Sequence, residues 1–186
     1  MQCKKLAPPL CQDCLKGFDS GFSLRSGQPV LVAGAYQGGL RKAVLRLKDA
    51  NDKRLVEILA GWLAQVVKAH DLGPIGAVAG VPTALRRRKW RGYCAPERVA
   101  QSLAQILGCP KISHFVCEGD PRPRKLLKGY QGRRAEHLPN FLCGESLQGS
   151  VLLLDDVVTS GRTLLQARKA LLAAGAQNVH LLAIAG

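Results

Sequence analysis

The sequence predicts an α/β fold in which helices flank a mainly parallel central sheet, with a short Cys-bearing segment at the N-terminus. Apolar segments with strand character alternate with segments of helical periodicity from residue 29 onwards. The length of 186 residues suits one domain with a small appendage. Residues 1–28 are rich in Cys and Pro and show no sustained periodicity. We therefore expect an N-terminal segment at 1–28 and one domain at 29–186.

The first half of this domain reads as strand, helix, helix, strand. VLVAGAY (30–36) is apolar and partly β-branched, which is typical of a strand. The next segment, 38–49, repeats aliphatic residues at helical spacing. Residues 52–70 present a wide apolar stripe, and Asp52 is placed to cap the start of that helix. IGAVAGV (75–81) then predicts a short buried strand.

The second half repeats this alternation. A helix is predicted at 97–108, with a proline just before it, where first-turn prolines occur. Strand-like segments follow at 111–117 and 150–156. A helix is predicted at 163–175, ending in glycine, and a last strand at 178–185. Such βαβ units favour a parallel sheet, and ligands of parallel sheets bind beyond the carboxyl ends of the strands.

The formal net charge of +14 suggests a polyanionic partner, either nucleic acid or a substrate with several phosphates. The alternative is a solvated basic surface. Residues 84–98 carry six basic residues and one acid, and residues 122–134 carry six more and no acid. Both segments have the Gly and Pro content of loops. Clustering of this kind favours a focused anion site over a general basic coat.

A cytoplasmic location is expected. The sequence has no apolar run of about 18 residues that would indicate a membrane helix. The first residues lack the apolar region of a secretory signal. The seven cysteines are an odd number and lack the spacing of a disulfide framework.

The segment VLLLDDVVTSGRT (151–163) is the strongest candidate for a site. Its four aliphatic residues predict a central strand covered on both faces. Asp155 and Asp156 leave this strand together and suit acceptance of hydrogen bonds from sugar hydroxyls, or a divalent cation. The hydroxyl- and glycine-bearing turn that follows would lead into a helix N-terminus, which is a cradle for phosphate. The structural alternative is that the acids cap a turn while Ser160 and Thr163 cap the helix.

The order of residues in this segment resembles the fingerprint of type I phosphoribosyltransferases. The resemblance implies the fold of that family, in which 159–163 would hold the 5-phosphate of phosphoribosyl pyrophosphate (PRPP). Asp155 and Asp156 would be the catalytic residues and would contact the ribose 2- and 3-hydroxyls. The PRPP-binding residues implied by the motif are Val157, Val158, Thr159, Ser160, Gly161, Arg162 and Thr163.

Two further segments narrow the resemblance to the ComF/GntX family, whose members are similar to bacterial competence protein F. AYQGGLRKAVLRLKD (35–49) is similar to the family's Y-x-G-x-L-R … L-K segment. GVPTALRRRKWRGYCAPERVAQSLAQILG (80–108) resembles its V-P … R-x-R-G-[FY]-N-Q … L-A … L block. Where the family reads Asn-Gln, this sequence has Cys94 and Ala95.

The resemblance also implies two basic loops around the ligand. The loop after the strand at 75–81 is expected to touch pyrophosphate, and the segment at 122–134 corresponds to a mobile loop that closes over the site. The pyrophosphate residues would be Val81, Pro82, Thr83, Arg88 and Arg91. The mobile-loop candidates are Lys125, Lys128, Arg133 and Arg134.

Mg²⁺ is the cofactor that the resemblance implies, and structural Zn²⁺ is a second expectation. Family members often begin with a zinc knuckle. Here Cys3, Cys11 and Cys14 supply three thiolates, one short of a Cys₄ site.

Two functions follow from these features. In the first, the protein transfers phosphoribose from PRPP to an unidentified acceptor, in a Mg-dependent reaction that releases pyrophosphate. In the second, it is a non-catalytic module that binds PRPP or a nucleotide, and single-stranded DNA or competence proteins, during DNA uptake. Neither requires membrane insertion, and both are compatible with a homodimer.

Overall fold

The computed structural model describes residue 15 and residues 18–49, 52–83, 93–118 and 139–186. Within these residues, no helix is both long enough and apolar enough to cross a membrane.

Among the residues that the structure describes, seven strands form two sheets. The larger sheet has the order β1-β2-β7-β6-β3, and β4 and β5 form a separate antiparallel pair. Strands β2, β7, β6 and β3 run parallel to their neighbours, whereas β1 is antiparallel to β2 at one edge. The strands are β1 (Gly21–Arg25), β2 (Gln28–Val32), β3 (Ala77–Gly80), β4 (Phe115–Glu118), β5 (Asn140–Cys143), β6 (Ser150–Val157) and β7 (Asn178–Ala185).

In the described part of the chain, four helices connect and cover the sheet: α1 (Gly38–Asp49), α2 (Lys53–Ala69), α3 (Ala95–Leu107) and α4 (Arg162–Ala173). The predicted cap of α2 is present, since the side chain of Asp52 accepts a hydrogen bond from the Leu55 N–H at 3.1 Å. Helix α3 begins with a proline in its first turn and ends at Gly108 in the left-handed conformation. These local signals therefore set the helix boundaries close to the predicted positions.

The central strand β6 separates two apolar layers. Leu152 and Leu154 pack on one face with α1, α2 and α3. Val151 and Leu153 pack on the other face with α4 and the β4–β5 pair. All four side chains are fully buried, as expected for a parallel strand covered on both sides. The predicted α/β class, a mainly parallel central sheet flanked by helices, is confirmed.

The N-terminal side of the sheet differs from the prediction. Residues 21–25 form β1, which pairs with β2 over its whole length, so the boundary expected between residues 28 and 29 falls inside a β-hairpin. Two residues connect the strands, Ser26 with φ 47° and Gly27 with φ 76°. Two positive φ values define a type I′ turn, whose twist matches that of the strands it joins.

The strand predicted at 111–117 also differs. Only Lys111 bridges to the parallel sheet, next to Val78. The chain then leaves the sheet, and β4 pairs antiparallel with β5, a strand that the sequence did not predict. Phe115 and Phe141 pack their rings on the inner side of this pair, with centroids 5.8 Å apart. The pair covers part of the face formed by α4 rather than extending the sheet.

Candidate functional site

The carboxyl ends of β3 and β6 meet at one edge of the sheet. These strands are parallel neighbours with Gly80 opposite Leu154, and the Val81 N–H donates to the Leu154 carbonyl at 2.8 Å. Asp155 and Asp156 therefore lie beside the residues that follow β3. The structure thus brings together the acidic pair and the start of the predicted pyrophosphate loop.

The two acids are held in different ways. The Asp156 N–H donates to Asp155 Oδ1 at 2.8 Å, and both residues lie within β6 rather than in a turn. Asp156 Oδ2 lies 3.0 Å from Lys48 Nζ, and both side chains are mostly buried. Burial, and secondly the charge of Asp156, raise the pKa of Asp155 to about 7, while the hydrogen bond from Asp156 N–H and the charge of Lys48 oppose this rise.

Lys48 was not among the predicted site residues. It lies in the last turn of α1, where the side chain of Tyr93 donates to the Leu47 carbonyl at 2.9 Å. The guanidinium of Arg98 lies 5.1 Å from the centre of the Tyr93 ring. Through these two contacts, Tyr93 ties the end of α1 to the start of α3. In the sequence, Lys48 was marked only by the Leu-Lys pair of the family motif matched at 35–49. That pair gives no indication that Lys48 contacts Asp156.

The loop after β6 enters α4 through Gly161. This residue is the N-cap of the helix, with φ 79°, and it has no side chain that could cap the helix. The alternative in which Ser160 and Thr163 cap the helix is therefore wrong. The first N–H groups of a helix have no partner within the helix, and a glycine at the N-cap offers them no side-chain acceptor. The side chains around Gly161 that are exposed are those of Thr159, Ser160, Arg162 and Thr163.

Two of the residues assigned to PRPP from the motif face the protein instead. Val158 is 4% exposed, packs in the core around α4, and donates its N–H to the Ala185 carbonyl at 2.9 Å. Val157 is partly buried against the other layer. These contacts hold the loop against β7. As a result, neither the side chain nor the N–H of Val158 is available to a ligand.

The turn between β1 and β2 lies against this loop. The Ser26 hydroxyl donates to the Ser160 carbonyl at 2.6 Å. A Cβ placed on Gly161 would lie 2.6 Å from the Cβ of Arg25. The signal that could have found this turn is the Ser-Gly pair between two short segments, a dipeptide that favours a two-residue hairpin loop.

The described part of the predicted pyrophosphate loop is tightly held. Val81 and Pro82 are buried, and Thr83 is partly buried. Cys94 Sγ lies 3.2 Å from Thr83 Oγ1 and 3.4 Å from the Val81 carbonyl oxygen. Burial raises the pKa of the Cys94 thiol, so it acts as a neutral hydrogen-bonding group that ties the two ends of the 84–92 segment together.

The remaining predicted residues lie outside the described part of the chain. They are Arg88 and Arg91, the mobile-loop candidates Lys125, Lys128, Arg133 and Arg134, and the thiolates Cys3, Cys11 and Cys14. Within the described residues, no three Cys, His, Asp or Glu side chains come together in a way that could hold a metal ion.

The chain was compared with known proteins. No family model matches it, and no curated protein matches it in sequence. Among solved structures, it is similar to the crystal structure of orotate phosphoribosyltransferase from Aeropyrum pernix, with 18% identity and a TM-score of 0.42. The match covers 90% of this chain and 72% of that one. At these values the likeness does not carry the activity of that enzyme over to this chain.

Proposed function

We propose that the protein binds PRPP at the edge formed by β3 and β6, and that it transfers phosphoribose with release of pyrophosphate. The proposal rests on the order of the chemical groups that follow one another near the end of β6. A pair of acids is followed, within one loop, by a helix N-terminus whose N-cap is a left-handed glycine. Carboxylates accept hydrogen bonds from sugar hydroxyls, and helix N-termini bind phosphate.

The roles of the residues follow from this placement. The loop 159–163 would hold the 5-phosphate, and Asp155 and Asp156 would accept hydrogen bonds from the ribose. Residues 81–83 directly follow β3, the strand next to β6, and the pyrophosphate of the same ligand would extend towards them. Basic residues such as Arg88 and Arg91 would stabilise the departing pyrophosphate, and the mobile loop would exclude water from the reacting carbon.

The residues at this edge are compatible with Mg²⁺ that arrives with the ligand. Mg²⁺ is commonly held by one or two carboxylates together with substrate phosphates and water. Asp155 and Asp156 would be the protein ligands, although Asp156 already pairs with Lys48. The ion would supply positive charge at the pyrophosphate. Membership of the ComF family and a structural Zn²⁺ at Cys3, Cys11 and Cys14 remain part of the proposal.

Thermal denaturation with PRPP and Mg²⁺ tests binding. A ligand at about 100 times its Kd stabilises the folded state by about 2.7 kcal/mol, or about 5–10 °C for a domain of this size. We expect such a rise for the wild type and a much smaller one for Asp155→Asn/Asp156→Asn. Lys68→Gln, an exposed change in the last turn of α2, is the control and should behave as the wild type. The absence of any shift in the wild type would overturn the proposal.

Release of pyrophosphate decides between transfer and binding alone. We expect PRPP consumption with at least one member of a panel of nucleobases and amines, and its loss in the double Asn variant. PRPP binding without turnover would instead support the non-catalytic module. That reading also requires binding to single-stranded DNA that weakens steeply with salt and survives the Asn changes.

A further inference from the structure

The β1–β2 turn is fixed to the loop that we propose to bind phosphate. The Ser26–Ser160 hydrogen bond, at 2.6 Å, joins the tip of the turn to the backbone of the loop. In a planar trans peptide the carbonyl and the following N–H point in opposite directions. Because the Ser160 carbonyl points to Ser26, the Gly161 N–H points away from the turn. The turn therefore fixes the orientation of one amide of the loop.

Arg25, the last residue of β1 before this turn, provides the three atoms nearest to a Cβ placed on Gly161. Besides the Cβ contact, a Cβ on Gly161 would lie 3.3 Å from the Arg25 carbonyl carbon and 3.4 Å from its oxygen. The glycine thus admits the backbone of Arg25 directly against the loop. The base of a long cationic side chain is consequently placed beside the predicted phosphate cradle.

The side chain of Arg25 contains a buried donor with no acceptor. Its Nε is inaccessible to solvent and has no hydrogen-bond partner, and it is the only such side-chain atom among the residues that the structure describes. Buried polar groups in proteins are nearly always hydrogen-bonded, and an unsatisfied one is costly. The two carboxylates of the site already have partners, since Asp156 pairs with Lys48 and the Asp155 side chain accepts from the Asp156 N–H.

We propose that Arg25 is a ligand of the phosphate held by the loop 159–163, to which its Nε–H donates a hydrogen bond. The inference rests on the proposed function for the identity of the ligand, a sugar phosphate with a terminal phosphate monoester. Guanidinium and phosphate form charge-assisted hydrogen bonds, which are about twice as strong as neutral ones. Arg25 would then complement the backbone amides with a full positive charge.

Equilibrium titration with ribose 5-phosphate tests this role, because that probe carries the monoester and lacks pyrophosphate. We expect Arg25→Gln to weaken its binding by about ten- to a hundredfold. Arg25→Lys, which retains the charge, should recover part of the loss. Binding of inorganic pyrophosphate should not change in either variant. Lys169→Gln, an exposed change on α4, removes one charge as a control and should leave both affinities unaltered.

A measurement on the wild-type protein covers the case in which the Arg25 variants fold poorly. The side-chain Nε–H signal of Arg25, identified by its loss in Arg25→Lys or by through-bond assignment, should shift and exchange more slowly with solvent when ribose 5-phosphate is added. An unchanged signal at saturation, or full affinity in Arg25→Gln, would overturn the role of Arg25 while leaving the proposed function standing. If the wild type does not bind ribose 5-phosphate or PRPP, the proposed function fails as well.

Discussion

Lys48 and Asp156 form an ion pair whose partners are 24% and 15% exposed. This pair supplies the positive charge that two adjacent carboxylates at the end of one strand require. An exposed ion pair contributes little to stability, but removing one partner of a mostly buried pair such as this one leaves the other charge uncompensated. Lys48 thereby offsets the repulsion between Asp155 and Asp156 near the end of β6.

Replacement of Lys48 by Met should destabilise the protein. The change keeps most of the aliphatic stem and removes the charge that faces Asp156, so we expect a loss of about 1–2 kcal/mol. Thermal or urea denaturation would measure it. Lys68→Met, on the exposed face of α2, is the matched control and should change stability by less than about 0.5 kcal/mol. Equal effects of the two changes would show that the ion pair does not contribute to stability.

Asp155 should make the stability of the protein depend on pH. Its folded-state pKa is raised from 3.8 to about 7, so between these values the folded state binds more protons than the unfolded state. The free energy of unfolding should therefore fall as pH rises through this window. Asp155→Asn removes that contribution, and its stability relative to the wild type should rise with pH. Urea denaturation at several pH values measures the difference, and a difference that is constant with pH would contradict the expectation.

At the scale of elements, the loop between β6 and α4 depends on one glycine. Gly161 has φ 79°, and a Cβ there would also meet Arg25, whereas Gly108 has φ 70° with no atom near the added Cβ. Alanine at either position would be strained by the left-handed backbone conformation. Only at Gly161 would a steric clash with β1 be added.

The comparison of Gly161→Ala with Gly108→Ala isolates that clash. We expect Gly108→Ala to cost about 1 kcal/mol, and Gly161→Ala to cost about 1–3 kcal/mol more. Gly161→Ala should also weaken ribose 5-phosphate binding, because the loop must move away from the β1–β2 turn. Urea denaturation and ligand titration measure the two effects. Equal stability losses would indicate that the turn shifts without cost.

The elements that carry the candidate acids were predictable, whereas the strand β1 and the ion pair that supports the acids were not. β6, α4 and β7 have continuous apolar runs or strong periodicity, and their burial follows directly from those patterns. β1 is an edge strand that exposes Phe22 and Leu24, so its pattern lacks the apolar face of a buried strand. The Lys48–Asp156 pair joins residues distant in the chain, and no local pattern encodes such a contact.

At the scale of the whole molecule, the net charge of +14 should oppose folding through self-repulsion. Raising the salt concentration screens this repulsion, so the melting temperature should increase as KCl is added. Sucrose at equal osmolality is the control, since it favours the compact state without screening charge. A melting temperature that falls or stays constant with KCl would mean that the basic residues are locally compensated.

The position of β7 has a consequence for how the chain folds. This strand follows all the others in sequence, yet it lies between β2 and β6, and among the described strands it alone joins the β1–β2 hairpin to β6 and β3. The β1–β2 hairpin and the β3–β6 pair can therefore form separately but cannot pair with each other before β7 enters between them. Insertion of a central strand after its neighbours demands long-range contacts late in folding, which slows folding. The proposed ligand site spans both strand pairs, so its geometry is complete only after this last step.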